Sequence, residues 1–507
     1  MKSNFYLFFF ILFLISLTLT AQEKITIRGT VFLDENANGV FDKNENGVKN
    51  ICVTNGKDVV KTNEKGEWKL ETVRKESVFI IKPSGYSVPL NQNQIPQHFI
   101  NTESSSAQVV NFPLLKSSEN NKFSALFFGD TQARGLKEVN YIFHDVVEEL
   151  IGTDAAFGVS LGDIVADDPE LMDDVAAGIA QIGIPWYNVM GNHDSDRDAK
   201  TNDERDETFE KFFGPSTYAF EYGEVVFIGL NNIYFQPDGK YKPHFTDNQL
   251  AFITNYLKHI PENKLVVLMM HAPIVICDNR EEMYRLLENR THTFSVSGHV
   301  HEQINLFVDE KMGWKGKEPH HHLINATVCG SWWCGIQDET GIPHATMNDG
   351  APNGYSVISF DGNKYKVQFK AARRPENYQM NIYLPDELTK TVADTTHVLV
   401  NVFAGSEKSV VEMQIDNGNW ITMENFKTID PEVLRMHQLS SFLNEKVNGQ
   451  QLDEVLGFAM DYPSISHHIW KAKLPNGINS GTHKISVRTT DIYKHTYTAH
   501  RIFRLID

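Results

Sequence analysis

Five polar clusters, each set directly after a short apolar run, constrain this chain more than any other feature. They are Gly129-Asp130-Thr131-Gln132, Gly162-Asp163, Gly191-Asn192-His193-Asp194, His271 and Gly298-His299-Val300-His301. The runs before them, at 123–128, 156–161, 186–190, 265–270 and 293–296, are predicted strands, as is 225–230. Between the runs the apolar spacing becomes helical, which predicts helices over 137–151, 169–182, 246–259 and 280–288. Strands alternating with helices give an α/β layout, and in α/β sheets sites assemble at the carboxyl ends of the strands.

The residue types in these clusters point to metal chemistry. Asp, Asn, Gln and His supply oxygen and imidazole donors suited to hard or borderline divalent ions, and the set is too rich for one ion. A carboxylate shared between two imidazole-bearing half-sites is what a dinuclear centre requires. With ions ~3.5–4 Å apart, such a centre binds a phosphoryl group, acidifies a bridging water and neutralises the departing oxygen. His299 and His301 are spaced i, i+2, which on extended backbone places both on one face. Each cluster alone reads as an ordinary turn; their ordered recurrence at strand ends is the signal.

Taken in order, these residues resemble the calcineurin-like metallophosphoesterases, whose pattern is Asp-x-His, Gly-Asp, Gly-Asn-His-Asp/Glu, a single His and Gly-His-x-His. The resemblance covers about residues 123–372. It implies a four-layer α/β/β/α core and two divalent ions (Mn, Fe, Zn or Mg). One ion would be bound by Asp130, Asp163 and His301, the other by Asp163 as bridge, Asn192, His271 and His299. It further implies His193 as proton or hydrogen-bond donor to the leaving group, with Asp194 orienting it. The chain departs from the pattern at Gln132, where most members carry His. Its amide oxygen is a neutral, weaker donor, so the first ion is expected to be held more loosely and to favour Mn or Mg over Zn.

Other residues near the clusters are candidates for substrate binding. Arg134 follows Gln132 closely enough to reach a phosphate, or else forms an ordinary ion pair. The stretch from His320-His321-His322 through Gly330-Ser331-Trp332-Trp333-Cys334 to Asn353-Gly354-Tyr355 resembles a segment of secreted bacterial members that carry extra β-domains at both ends. Trp332 and Trp333, with Asn353 and Tyr355, are expected to line a pocket beside the metals, with core packing as the other reading. Cys329 and Cys334 are close enough to close a small loop or to stay a free thiol pair; Cys52 and Cys277 fall in different modules.

A second motif lies near the start. Asp34, Asn36, Asn38, Asp42 and Glu45 fit a twelve-residue calcium loop with Gly39 at its turn. Strand-like flanks at 25–32 and 51–54 exclude an EF-hand, leaving a calcium loop of a β-domain or a metal-free Asn-Gly turn.

Charge and composition bound the rest. The 507-residue chain has a net charge of −18, and residues 116–372 hold 21 basic and 38 acidic residues, a net −17. Extended nucleic-acid binding is thereby excluded, but a small phosphate ester held by metals is not. Residues 1–21, with Lys2, an apolar stretch and a small-residue end, read as a signal peptide, so a periplasmic or secreted location without stable membrane insertion is expected. Composition shifts place a β-sandwich at 22–115, the phosphoesterase domain at 116–372 and a second β-sandwich at 373–507. The acidic tract 194–210 is expected to be a solvated loop and helix start. The expected function is hydrolysis of a phosphomonoester or phosphodiester through a bridging hydroxide. The alternative is a calcium-dependent surface binding protein whose middle domain does not turn over substrate. Oligomeric state is not encoded in any feature of the sequence.

Overall fold

The structure is a computed structural model that describes residues 24–73, 76–102, 109–446 and 458–507. The segment read as a signal peptide lies outside the described residues, and no described helix is long and apolar enough to cross a membrane.

The middle of the chain builds two sheets. One runs, in spatial order, Trp186–Asn188, Phe157–Ser160, Lys122–Phe128, Gly354–Asp361 and Lys364–Ala371, the first three strands parallel. The other runs Tyr218–Tyr222, Val225–Leu230, Leu265–Met270, Thr293–Ser297, His320–Ile324 and Ile304–Val308, with the inner four parallel. Strand periodicity sends alternate side chains to opposite faces, and here both faces are buried. Ala125, Phe127, Val159, Phe227, Val267 and Val296 share one apolar cluster between the sheets. Leu126 and Phe128 instead join Ile142, Val175 and Ile179 of the helices outside the first sheet. Val226, Ile228, Val266 and Leu268 meet Phe252, Ile253 and Leu287 of the helices outside the second. Burial on both faces is why these strands read as unbroken apolar runs.

The helices follow the sequence reading closely. The first is α-helical over Leu136–Ile142, passes through a π-helical turn at Phe143–Val147 and ends at Glu148–Leu150. Met172–Ile179 is extended at each end by a tighter turn. Asp247–Leu257 starts at a capping box in which Thr246 accepts from the Gln249 N–H at 3.3 Å and Gln249 accepts from the Thr246 N–H at 2.9 Å.

The parallel strands set their carboxyl ends on shared edges, and the two edges are stitched together. The link runs through Gly129, which donates its N–H to the Ala326 carbonyl at 3.1 Å and accepts from Val328 at 2.9 Å; within the second sheet, Gly298 donates to the His271 carbonyl at 3.0 Å.

Both flanking domains are β-rich. The first has two four-stranded sheets around Val31, Val53, Trp68, Leu70, Ile80 and Leu114. The last has a four-stranded and a five-stranded sheet around Val400, Met413, Trp470, Ile485 and Phe503. It also contains the helix Pro431–Lys446, which strand patterning did not predict. Asp430 caps this helix by accepting the N–H groups of Glu432 and Val433 at 2.9 and 3.0 Å, and Pro431 supplies a helix-ready φ.

The acidic tract is not simply solvated. Asp194 is fully buried, and the carboxyls of Asp206 and Glu210 turn inward, accepting the Ser216 hydroxyl at 2.6 Å and the Ser216 N–H at 3.1 Å. These contacts satisfy a turn that a water-facing loop would leave to solvent.

Candidate metal centre

The five clusters converge. Asp130, Gln132, Asp163, Asn192, His271 and His301 are all buried, while His193 and His299 are partly open. Many of these residues sit in strained backbone: Asp130, Gln132, Asp163, His299 and His301 all have positive φ, at 22°, 42°, 48°, 79° and 54°. Such conformations persist where the surrounding structure over-determines them, and here they turn each side chain inward just past its strand. The motif glycines make room for the carboxylates. A Cβ on Gly191 would lie 2.2 Å from Asp163 Oδ1, and one on Gly298 would lie 2.2 Å from Asp130 Oδ1.

Asp163 lies at the middle. Its Oδ2 is 3.1 Å from His271 Nε2 and 3.3 Å from Gln132 Nε2, and its Oδ1 accepts the His193 N–H at 2.8 Å. His271 Nε2 is also 3.2 Å from Asn192 Oδ1 and 3.1 Å from His299 Nδ1. Asp163, His271 and His299 thus offer three ligand atoms within 4.8 Å of one another. On the other side, His301 Nε2 is 3.3 Å from Asp130 Oδ2, and Asp130 Oδ1 accepts the His299 N–H at 3.0 Å.

The proton positions make this a site for cations. His271 Nδ1 lies 2.8 Å from the Leu161 carbonyl, and His301 Nδ1 lies 2.5 Å from the Gly330 carbonyl. A carbonyl only accepts, so both rings carry a proton on Nδ1 and turn the Nε2 lone pair toward a carboxylate. Lone pairs then face lone pairs across about 3 Å, an arrangement that a divalent cation satisfies. A proton satisfies it too. Burial alone would lower His271, yet the Asp163 carboxylate raises it to about 9. His299 goes the other way, to about 4, because it is buried beside His271. The residues present therefore fit a metal centre at Asp163, His271 and His299, with Asn192 beside it and the Asp130 and His301 pair on the other side of Asp163.

Asp194 does not orient His193. Its carboxylate accepts the N–H groups of Ile164 at 2.8 Å, Val165 at 3.2 Å and Gly191 at 2.8 Å, bracing the turn that carries Asp163. Burial and the neighbouring Asp163 push it up to about 7. The partner of His193 is Asp167, whose Oδ1 bonds His193 Nδ1 and also pairs with Arg197. Asp167 has φ 76°, positive as at Asp130, Gln132, Asp163, His299 and His301.

The substrate candidates separate. Trp332 is at the site: its ring meets the His193 ring edge-on at 4.9 Å and lies nearly parallel to the His301 ring at 5.8 Å. Trp333 is core, 1% exposed, with its Nε1 donating to the Thr131 carbonyl at 3.0 Å. Asn353 and Tyr355 are buried as well, bonded to Asp145 and Glu149 of the first helix. These three pack the domain; Asn353 and Trp333 also border clefts, but the lining of neither includes a metal donor. Arg134 is held by the Trp332 carbonyl, lies 3.6 Å from Glu138 and stacks on Phe458 at 4.0 Å, so its guanidinium braces the Trp332 loop instead of facing a phosphate. On the far rim, Tyr241 meets His299 edge-on at 6.0 Å. No metal pattern in the sequence marks Tyr241 or Asp167.

His320, His321 and His322 form a buried strand whose rings bond Thr293, Ser295, Ser297, Asn305 and Tyr365. All four cysteines are buried free thiols. The Asp34–Glu45 motif forms a loop satisfied by its own groups. Asp34 accepts the Gly39 N–H at 2.8 Å, Asp42 accepts both the Asn36 and Asn38 amides at 2.9 and 3.0 Å, and Glu45 accepts the Glu35 N–H at 3.0 Å.

Three family descriptions match the chain in succession. They are the N terminal of calcineurin-like phosphoesterase over residues 35–117, calcineurin-like phosphoesterase over 123–303 and the C terminal of calcineurin-like phosphoesterase over 322–497. No curated protein sequence matches. Among solved structures, the purple acid phosphatase PPD1 from yellow lupin (Lupinus luteus) seeds is 11% identical, with a TM-score of 0.37 over 69% of this chain and 67% of that one. The spore cortex lytic enzyme SleM of Clostridium perfringens is 10% identical, with a TM-score of 0.18 over 77% and 100%. Neither likeness is close enough to carry an argument.

Proposed function

We propose, from the premise that this chain is a calcineurin-like phosphoesterase with that family's N- and C-terminal domains, that it is a metal-dependent hydrolase of small phosphate esters. In this reading the middle domain, 116–372, is a four-layer α/β/β/α core between β-sandwiches at 22–115 and 373–507. The leader at 1–21 would direct it to the periplasm or the outside of the cell.

The observation that carries the reading is the meeting of His271 and His301 Nε2 lone pairs with the Asp163 and Asp130 carboxylates. Divalent ions bound there would supply positive charge to a phosphoryl group and acidify water. The chain's own groups do the rest. Asp163 draws the two halves together, and the Asn192 amide adds a neutral oxygen. His193, its Nδ1–H held by Asp167, would as the imidazolium give its Nε2 proton to the departing oxygen. Trp332 walls one side of that imidazole, so the leaving group sits against an aromatic edge.

A generic aryl phosphodiester and monoester, offered to purified protein loaded with Mn, test the reading. Turnover should appear and be lost in Asp163→Ala and Asn192→Ala. Metal binding without turnover of either ester would favour the binding-protein alternative.

The loop of Asp34, Asn36, Asn38, Asp42 and Glu45 is read as a calcium site that stiffens the first domain. Calcium should raise the first unfolding transition in scanning calorimetry; a transition indifferent to chelator would contradict this.

A further inference from the structure

The half-site around Asp130 and His301 contains a group that its ligand set does not use. Cys329 is fully buried, and its N–H donates to the Asp130 carbonyl at 3.0 Å, which pins the sulfur beside the donors. Its Sγ is 3.6 Å from Gln132 Oε1, 3.8 Å from His301 Nδ1 and 3.6 Å from the Gly330 carbonyl. The other end of the Gln132 amide, Nε2, is 3.3 Å from Asp163 Oδ2.

With no cation beside it, a carboxylate draws the NH₂ end of an amide. A cation between Asp130 and Asp163 reverses that demand, because only the amide oxygen can ligate. The amide meets it by turning over, since its two ends are nearly isosteric. Oε1 then takes the place of Nε2, and Nε2 comes to the position 3.6 Å from the Cys329 sulfur. A thiol both donates and accepts weakly, so it partners the amide in either orientation. His301 Nδ1 cannot take this part, being held by the Gly330 carbonyl at 2.5 Å.

We propose that Cys329 is a positioning residue that holds the Gln132 amide with its oxygen toward the metal centre, so that Gln132 and Cys329 together do what one imidazole would do at this position. The inference rests on the two-cation reading above and names the group that makes a neutral amide an adequate donor. Sulfur is not itself a ligand in this account. It sits on the Nδ1 side of His301, whereas Nε2 of that ring faces Asp130.

The test is a chelator-competition titration of the full chain with Co²⁺, with absorption spectra taken at each step. Native protein should bind two ions and show no sulfur-to-cobalt charge-transfer band. Cys329→Val should weaken one binding step by roughly 10–100-fold, the usual cost of removing a group that orients a ligand, and leave the other unchanged. Cys329→Ser keeps a hydroxyl in place and should stay close to native. In Gln132→His the Cys329→Val change should lose its effect, because imidazole needs no amide orientation. Unchanged binding in Cys329→Val would overturn the proposal, as would a charge-transfer band in native protein, which would make the sulfur a ligand. If Cys329→Val fails to fold, Cys329→Ala takes its place in the native and Gln132→His backgrounds, with the same results expected and unchanged binding again overturning the proposal. Failure of native protein to bind any Co²⁺ would instead sink the two-cation reading itself.

Discussion

His193 and Asp167 are bonded through Nδ1 and Oδ1, although 26 residues separate them. The carboxylate fixes which nitrogen carries the proton and turns Nε2 outward. With Nδ1–H held there, the imidazolium form of His193 offers its Nε2 proton in a defined direction instead of as a free surface imidazole.

His193→Ala should therefore lower kcat by roughly 10²–10⁴-fold, the range for a positioned acid, and Asp167→Asn should lower it by less. Because the two act as one unit, the double variant should be no worse than His193→Ala. The defect should shrink for a nitrophenyl leaving group, which needs no proton. Steady-state kinetics on alkyl and aryl esters would show this; equal losses on both would remove His193 from the leaving-group side.

Gly298→Ala tests how the donors are packed. The added Cβ would meet Asp130 Oδ1 at 2.2 Å, and the carboxylate must move. Bound metal, measured by elemental analysis, should fall toward one ion per chain while the far-UV circular dichroism stays native. Full occupancy would show that the carboxylate tolerates displacement.

Trp332 and Trp333 are adjacent but should fail differently. Trp333→Ala empties a buried site and should cost about 3–5 kcal/mol of stability. Trp332→Ala should leave the unfolding midpoint nearly unchanged and raise KM, since its partly open ring borders His193 and His301. Denaturant unfolding alongside kinetics separates the two.

Asp206 and Glu210 give a pH dependence of stability. Burial pushes Asp206 up to about 6, and burial together with Asp206 pushes Glu210 up to about 8. Both folded values exceed the unfolded ones near 4, so the folded state holds protons that the unfolded state releases. Their contribution is fully present below about pH 4 and is lost as pH rises through about 8. The advantage of native protein over Glu210→Gln in melting temperature should accordingly shrink between about pH 5 and about pH 8.5. A constant difference would contradict the raised carboxyl. Glu210 also accepts the Ser77 hydroxyl at 3.1 Å, a bond between the first domain and the second that favours the ionised carboxylate and so should persist over the same range.

The sheets were legible because strands such as Val225–Leu230 and Leu265–Met270 are buried on both faces and leave continuous apolar runs. The donors were legible because each follows such a run. Asp167 was not, since its pairing with His193 spans 26 residues and it follows no apolar run of its own. Nor were the fates of Trp332 and Trp333, because φ of 62° and 53° at successive residues breaks the alternation by which a strand would assign them to opposite faces. Asn353 and Tyr355 looked like pocket residues only while their partners Asp145 and Glu149, on a distant helix, were unknown. The helix Pro431–Lys446 did leave a signal, the Asp430-Pro431 start, inside a segment otherwise patterned as strand.

On the proposed function, two cations held around Asp163 give this chain its phosphoesterase activity. Chelator-stripped protein titrated with Mn while an aryl phosphodiester and an aryl phosphomonoester are turned over tests it most directly. Activity toward one ester should rise only as the second equivalent binds, and should be absent at every Mn concentration in Asp163→Ala. Full activity in stripped protein, or none on either ester with two ions bound, would contradict it.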